Sequence, residues 1–173
     1  PHRVGPTEIF QTSNLQLPLN LESRAAVVIN ADTGETLYSK NPTRTMPIAS
    51  ITKLMTAMIT LDARLPMDEV ITIAEADVDK IKHTSSRLAV GTSMTRSEAL
   101  LLALMASENR AAASLVRTYP GGTQAAVAAM NRKARELGMT HANFADGTGL
   151  NAQNVASPSD LVRMVKAART YPD

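Results

Sequence analysis

Ser50 and Lys53 are the residues whose types and spacing most plainly could do chemistry. They lie three apart in Pro47-Ile48-Ala49-Ser50-Ile51-Thr52-Lys53-Leu54-Met55-Thr56-Ala57-Met58. Residues three apart share one face of a helix. A serine hydroxyl needs a base to become a nucleophile, and a desolvated amine beside it can be that base. A lysine buried without a partner is costly, so a lysine in an apolar helix is paired or works unprotonated. The bland alternative is a capping serine followed by a surface lysine. The apolar sequence around Lys53 offers it little solvent face.

Ser107-Glu108-Asn109 is a second cluster. A hydroxyl and an amide at i and i+2 could relay a proton and hold a substrate carbonyl from one short turn. Its bland reading is a helix break with Asn109 as a cap.

Both clusters need elements to position them. Ile48, Ile51, Leu54, Met55, Met58, Ile59 and Leu61 recur at helical spacing with few charges between. This predicts a buried core helix that begins at Pro47 and ends near Arg64. Thr95-Arg96-Ser97-Glu98 reads as a capping box opening a second helix, apolar on most sides. Arg110 to Thr118 follows as a third. Thr123 caps a fourth over Gln124 to Leu137, and Ser157-Pro158-Ser159-Asp160 starts a last one to about Arg169. Asp146-Gly147-Thr148-Gly149 is a tight loop. At the front, Arg24 to Asn30 and Glu35 to Lys40 read as a β-hairpin turning at Asp32-Thr33-Gly34. Residues 1–21 read as an irregular N-terminal arm. One hairpin followed by a helical block is α+β.

Composition excludes several classes. The 173 residues are 44% hydrophobic and 20% charged, which suits one soluble globular domain or most of one. Only 3% are aromatic, so stacking platforms for bases are scarce and no nucleic acid is expected. Net charge is +2 with no basic block. There is no cysteine, which excludes disulfides and thiolate metal sites. His2, His83 and His141 are scattered without metal-ligand spacing, so no metal is expected.

Ser50-x-x-Lys53 and Ser107-x-Asn109 resemble the first two motifs of penicillin-binding proteins and serine β-lactamases. The strings PIASITKLMTAMITLDARLP and LLLALMASENRAAASL and the DGTGL loop are similar to the low-molecular-mass D-alanyl-D-alanine peptidases. They look closest to the endopeptidase branch often called penicillin-binding protein seven. The resemblance runs from about Arg24 to Pro172. It implies a β-lactamase/transpeptidase-like fold, with the hairpin belonging to an antiparallel sheet. It also implies a serine peptidase acting on peptidoglycan peptides through an acyl-enzyme, with endopeptidase favoured over carboxypeptidase and both left open by these residues, inhibited covalently by β-lactams. Ser50 would be the nucleophile, Lys53 its base, Ser107 a proton relay and Asn109 a substrate holder. No metal or cofactor is implied, and the location would be periplasmic with a signal peptide removed.

One departure matters. No lysine in the chain is followed by Ser/Thr-Gly, so the family's third motif, Lys-Thr-Gly, is absent. The expectation is that residues 22–173 are the front part of a single peptidase domain, with the remaining strands and C-terminal helix missing from this chain. A second polypeptide could supply them. By this reading the 173 residues alone are inactive. The rivals are an inactive or cell-wall-binding module of the same fold and, further off, a β-lactamase. The loop from Asp146 to Asn151 offers no glutamate for the fast deacylation of the class A type. An aspartic protease built on Asp32-Thr33-Gly34 and Asp146-Gly147-Thr148 is disfavoured, because that chemistry needs paired carboxylates in a β-rich fold.

Overall fold

Alternating and β-branched sequence at the front of the chain forms extended structure, and the apolar repeats behind it form helices. The computed structural model describes residues 7–11, 25–29 and 36–172, with side chains from residue 41 onward. Strands β1 (Thr7–Gln11), β2 (Ala25–Ile29) and β3 (Thr36–Lys40) make one sheet in that order. β2 and β3 pair antiparallel, with a register shift between Val28 and Ile29. The expected hairpin is therefore present, while its turn at Asp32 to Gly34 lies outside the described residues. β1 corrects the reading of residues 1–21 as an irregular arm. Thr7, Ile9 and Phe10 are good strand formers, and a parallel ladder to β2 gives their backbone its partners.

The predicted core helix starts later than expected. Met46–Pro47 is a short strand, β4, which pairs antiparallel with β7 (Val155–Ala156). A 3-10 turn, Ala49–Ile51, then leads into α1 (Thr52–Asp62). Pro47 is thus a strand residue rather than the first helical one; it tolerates a short edge pairing that does not need its N–H. The burial expectation holds, since eight residues of α1 between Thr52 and Thr60, on all sides of the helix, are buried. The helix ends with Arg64 in the left-handed region (φ 51°), ahead of Pro66.

α1 is the hub. It packs against α2 (Arg96–Met105), α3 (Asn109–Arg117), α4 (Gly122–Glu136) and α5 (Pro158–Ala168). One apolar cluster joins Met55, Met58 and Ile59 of α1 to Met130 of α4, Phe144, and Leu161 and Met164 of α5. A second joins Ala99 and Ala103 of α2 and Leu115 of α3 to the β5–β6 pair, Val70–Thr72 with Ser93–Thr95. α5 also packs on β1 and β2, which ties the sheet to the helices.

Capping follows the sequence signals at two of three helix starts. Thr95 and Glu98 form the capping box of α2, and Ser157 and Asp160 that of α5. α4 departs from expectation. It begins at Gly122 with Gly121 as its N-cap (φ 89°), not at Thr123. A second correction concerns α2, read as apolar on most sides: Leu101 is 61% and Met105 80% exposed, because only the Ala99 and Ala103 face turns inward.

Candidate active site

The site is assembled where three chain segments meet at the start of α1. Ser50 sits in the 3-10 turn and is exposed, whereas Lys53, in the first turn of α1, is only 3% exposed. The Lys53 ammonium nitrogen Nζ donates to Ser107 Oγ at 3.2 Å. The two sequence clusters, 54 residues apart, are thereby joined through the lysine. The hydrogen bond of Lys53 goes to Ser107 and not to Ser50. Burial pushes the Lys53 pKa below its ordinary value, and the negative charges of Asp146 and Glu108 oppose that shift. A lysine lowered in this way is a better candidate for a base than a solvated one.

Backbone strain marks both motifs. Ala49 (φ 49°), directly before Ser50, and Ser107 (φ 51°) are non-glycine residues in the left-handed region. Such conformations cost of order 1–2 kcal/mol and persist only where the surroundings impose them.

Asn109 is the first residue of α3, and its N-cap is Glu108, whose carboxylate accepts from the Arg110 N–H. The bland reading of Asn109 as a cap is therefore corrected: an acidic side chain one residue earlier does that work. Asn109 Nδ2 donates to Thr84 Oγ1 at 3.3 Å. Asn109→Ala is accordingly expected to change stability by less than about 1 kcal/mol, the net worth of one hydrogen bond. Substrate processing should fall far more. Thermal melts beside turnover of a D-alanyl peptide would check this, and a protein that melts early but works normally per folded molecule would contradict it.

Three features carry no sequence motif and were missed. The first is the segment from Asp79 to Leu88, which latches onto the Ser107 turn. Ser86 Oγ donates to Glu108 Oε1 at 2.6 Å and Arg110 donates to the Leu88 carbonyl at 2.8 Å. The second is Asp79 itself. Burial acts to raise its pKa, but donors from Thr84, Lys82 and Ile81 outweigh that and hold its carboxyl well below the usual range. The third is Asn154, fully buried, whose Nδ2 reaches Thr52 Oγ1 at 3.1 Å and the Asp146 carbonyl at 2.9 Å. The only sequence signal available was a cluster of Asn and Asp after a glycine-rich loop, which ordinarily means a turn. A groove of about 300 Å³ opens beside Asn109, between Val78 to Ile81 and the Asp146 to Leu150 loop.

A family model described as D-alanyl-D-alanine carboxypeptidase matches residues 11–173. The chain belongs to the D-alanyl-D-alanine carboxypeptidase family. Within this family it is 50% identical over 160 residues to a D-alanyl-D-alanine endopeptidase of Pseudomonas aeruginosa, covering 92% of this chain and 52% of that protein. It is 45% identical over 172 residues to a D-alanyl-D-alanine endopeptidase of Escherichia coli, covering 99% of this chain and 54% of that one. The solved DD-transpeptidase of Streptomyces K15 superposes with a TM-score of 0.75 at 28% identity, over 83% of this chain and 59% of that chain. The chain thus spans about half the length of the curated relatives it matches. The family match and these neighbours bear out the expected α+β, transpeptidase-like fold. Against that background the aspartic protease alternative falls. Asp32 lies outside the described residues, but the Asp146 oxygens are taken by the Gly149, Asn151, Thr148 and Asn154 donors.

Proposed function

We propose that the protein carrying this chain is a serine D-alanyl-D-alanine peptidase of peptidoglycan, an endopeptidase in preference to a carboxypeptidase, working in the periplasm. The observation that carries the reading is the buried Lys53 with its Nζ 3.2 Å from Ser107 Oγ, three residues along from an exposed Ser50. The endopeptidase preference is supported by the names of the relatives from Pseudomonas aeruginosa and Escherichia coli. Among the described residues, no helix is long and apolar enough to cross a membrane.

In this mechanism neutral Lys53 takes the proton of Ser50 Oγ as that oxygen bonds to the carbonyl carbon of a D-alanyl peptide bond. The carbonyl oxygen becomes an oxyanion. The Ser50 N–H lies in the first turn of a helical segment, where backbone N–H groups lack intrahelical partners, and can donate to it. The proton on Lys53 passes through Ser107 to the departing amine as the peptide C–N bond breaks, leaving an ester on Ser50. Asn109 holds the substrate backbone. Water then attacks the ester, its proton returns through the same groups, and Ser50 is released with the acyl product. A β-lactam follows the first half of this course; its amine stays tethered, so the ester persists.

The second wall of the cleft and the second oxyanion donor of the family belong to a Lys-Thr-Gly strand. These 173 residues contain no such string, so that wall is expected from sequence outside them in the whole protein. Labelled penicillin and intact-mass measurement on the full-length protein test the reading. One adduct is expected, at Ser50, and none in Ser50→Ala. Label on another serine, or label retained in Ser50→Ala, would overturn it.

A further inference from the structure

The loop after α4 is fastened to the catalytic turn more firmly than a connecting loop needs to be. Gly147 accepts from Thr56 Oγ1 through its carbonyl at 2.7 Å. The Asn154 carbonyl accepts from the Ile48 N–H at 3.1 Å, and Asn154 Nδ2 reaches Thr52 Oγ1 at 3.1 Å. Gly149 lies so close to the Ala49 carbonyl that a Cβ there would stand 1.8 Å from its oxygen. The contacts fall at residues 48, 49, 52 and 56, on both sides of Ser50 and Lys53.

Asp146 organises this loop. Its Oδ1 accepts from the Gly149 N–H at 2.8 Å and from Asn154 Nδ2 at 2.8 Å. Its Oδ2 accepts from Thr148 Oγ1 at 2.9 Å and from the Asn151 N–H at 3.2 Å. A carboxylate has about four acceptor sites, so this one is saturated. It has no lone pair left to take a proton from serine or water, and it cannot be a general base in this arrangement.

We propose that Asp146 is a positioning residue for the Ser50 and Lys53 pair, held as a fixed negative charge on the loop that packs against Ser50. The proposal rests on the reading of Ser50 as nucleophile and Lys53 as its base. The carboxylate does two things at once. Its hydrogen bonds fix the loop whose Gly149 packs against the Ala49 carbonyl. Its charge stabilises the ammonium that Lys53 becomes when it takes the serine proton, at a point where burial disfavours that charge. The charges that act on Lys53 come from this loop, through Asp146, and from the Ser107 turn, through Glu108. Glu108 is already committed to the N-cap of α3 and to Ser86. Asp146 has the larger influence of the two.

The sign follows. Lys53 works as a base only where it is unprotonated, so the acylation rate rises with pH through its titration. Removing the Asp146 charge leaves burial less opposed, and Lys53 loses its proton at lower pH. The acidic limb of the rate profile should then move to lower pH, while the plateau falls because a less basic amine is a poorer proton acceptor.

The test measures acylation by a labelled penicillin across pH in the full-length protein, unmutated and as Asp146→Asn, Asp146→Glu and Thr148→Val. The Lys53 13Cε resonance, assigned by its loss in Lys53→Arg, is titrated alongside. Asp146→Asn should shift the acidic limb and the Lys53 titration together to lower pH. Asp146→Glu keeps the charge and should restore both. Thr148→Val loosens the loop without touching charge and should leave the midpoint in place. A midpoint unmoved in Asp146→Asn, a shift of the same size in Thr148→Val, or an Asp146→Asn protein that cannot fold would each overturn the proposal in favour of a purely structural carboxylate. No acylation of the unmutated protein would overturn the serine peptidase reading, and this inference with it.

Discussion

Lys53→Arg is expected to abolish acylation by β-lactams, with a loss of at least about 10²–10⁴ in rate, the usual worth of a positioned general base. Arginine keeps the positive charge but does not deprotonate in a protein. It cannot accept the Ser50 proton however well it is placed. The site also has little room for a guanidinium, because Lys53 is 3% exposed among close-packed residues of α1. Stopped-flow or gel-based labelling would measure the rate, and circular dichroism would show whether the fold survives. A folded Lys53→Arg protein that acylates within about tenfold of the unmutated rate would reduce Lys53 to an electrostatic partner.

The second large effect is expected from Gly149→Ala. An added Cβ would meet the Ala49 carbonyl oxygen at 1.8 Å and its carbon at 2.3 Å, both backbone atoms. Gly149 also has φ 88°, a conformation that side chains other than glycine rarely adopt. Neither strain can be relieved by rotating a side chain. The loop must back away from the catalytic turn, or the turn must move. A displacement of about 1 Å at a catalytic group can cost about 10²-fold. Acylation should therefore drop by about that factor or more, and the melting temperature should fall. Gly91 is the control: it too has a positive φ (95°), but a Cβ there would meet nothing within 4 Å. Gly91→Ala should melt lower from backbone strain alone and acylate normally. Equal acylation by the two variants would remove the close approach at Ala49 as a cause.

The residues proposed to do chemistry were more legible in the sequence than the structure that holds them. Ser50, Lys53, Ser107 and Asn109 stand in short local spacings, and helical periodicity around Lys53 foretold its burial. What spacing could not convey was long-range closure. The Lys53 to Ser107 hydrogen bond and the Asn154 to Thr52 contact span 54 and 102 residues of chain. No local pattern distinguishes a buried asparagine hub from an ordinary turn asparagine. The start of α1 was misplaced because Pro47 satisfies the rule for a first helical residue as well as the rule for a short edge strand. β1 went unseen because its partner strand, which makes Thr7–Gln11 extended, lies beyond a local window. α2 was read as more buried than it is because leucine content signals a helix without saying which side faces in.

The bonding of Asp79 bears on the surroundings in which the cleft keeps its shape. A carboxylate whose folded pKa is depressed contributes stability that is fully present above its unfolded pKa and lost only as pH falls through the folded one. For Asp79 that loss lies below the ordinary carboxylate range, since its donors hold the ionised form. The Thr84 hydroxyl that these bonds orient is the one that meets Asn109. Lys53, by contrast, takes up its proton as pH falls through its own burial-lowered pKa. Protonation of Lys53 and loosening of the cleft wall are therefore separate events, the second confined to pH below the ordinary carboxylate range. Activity lost through Lys53 protonation is expected to be lost by a folded molecule and to return with pH without a refolding step.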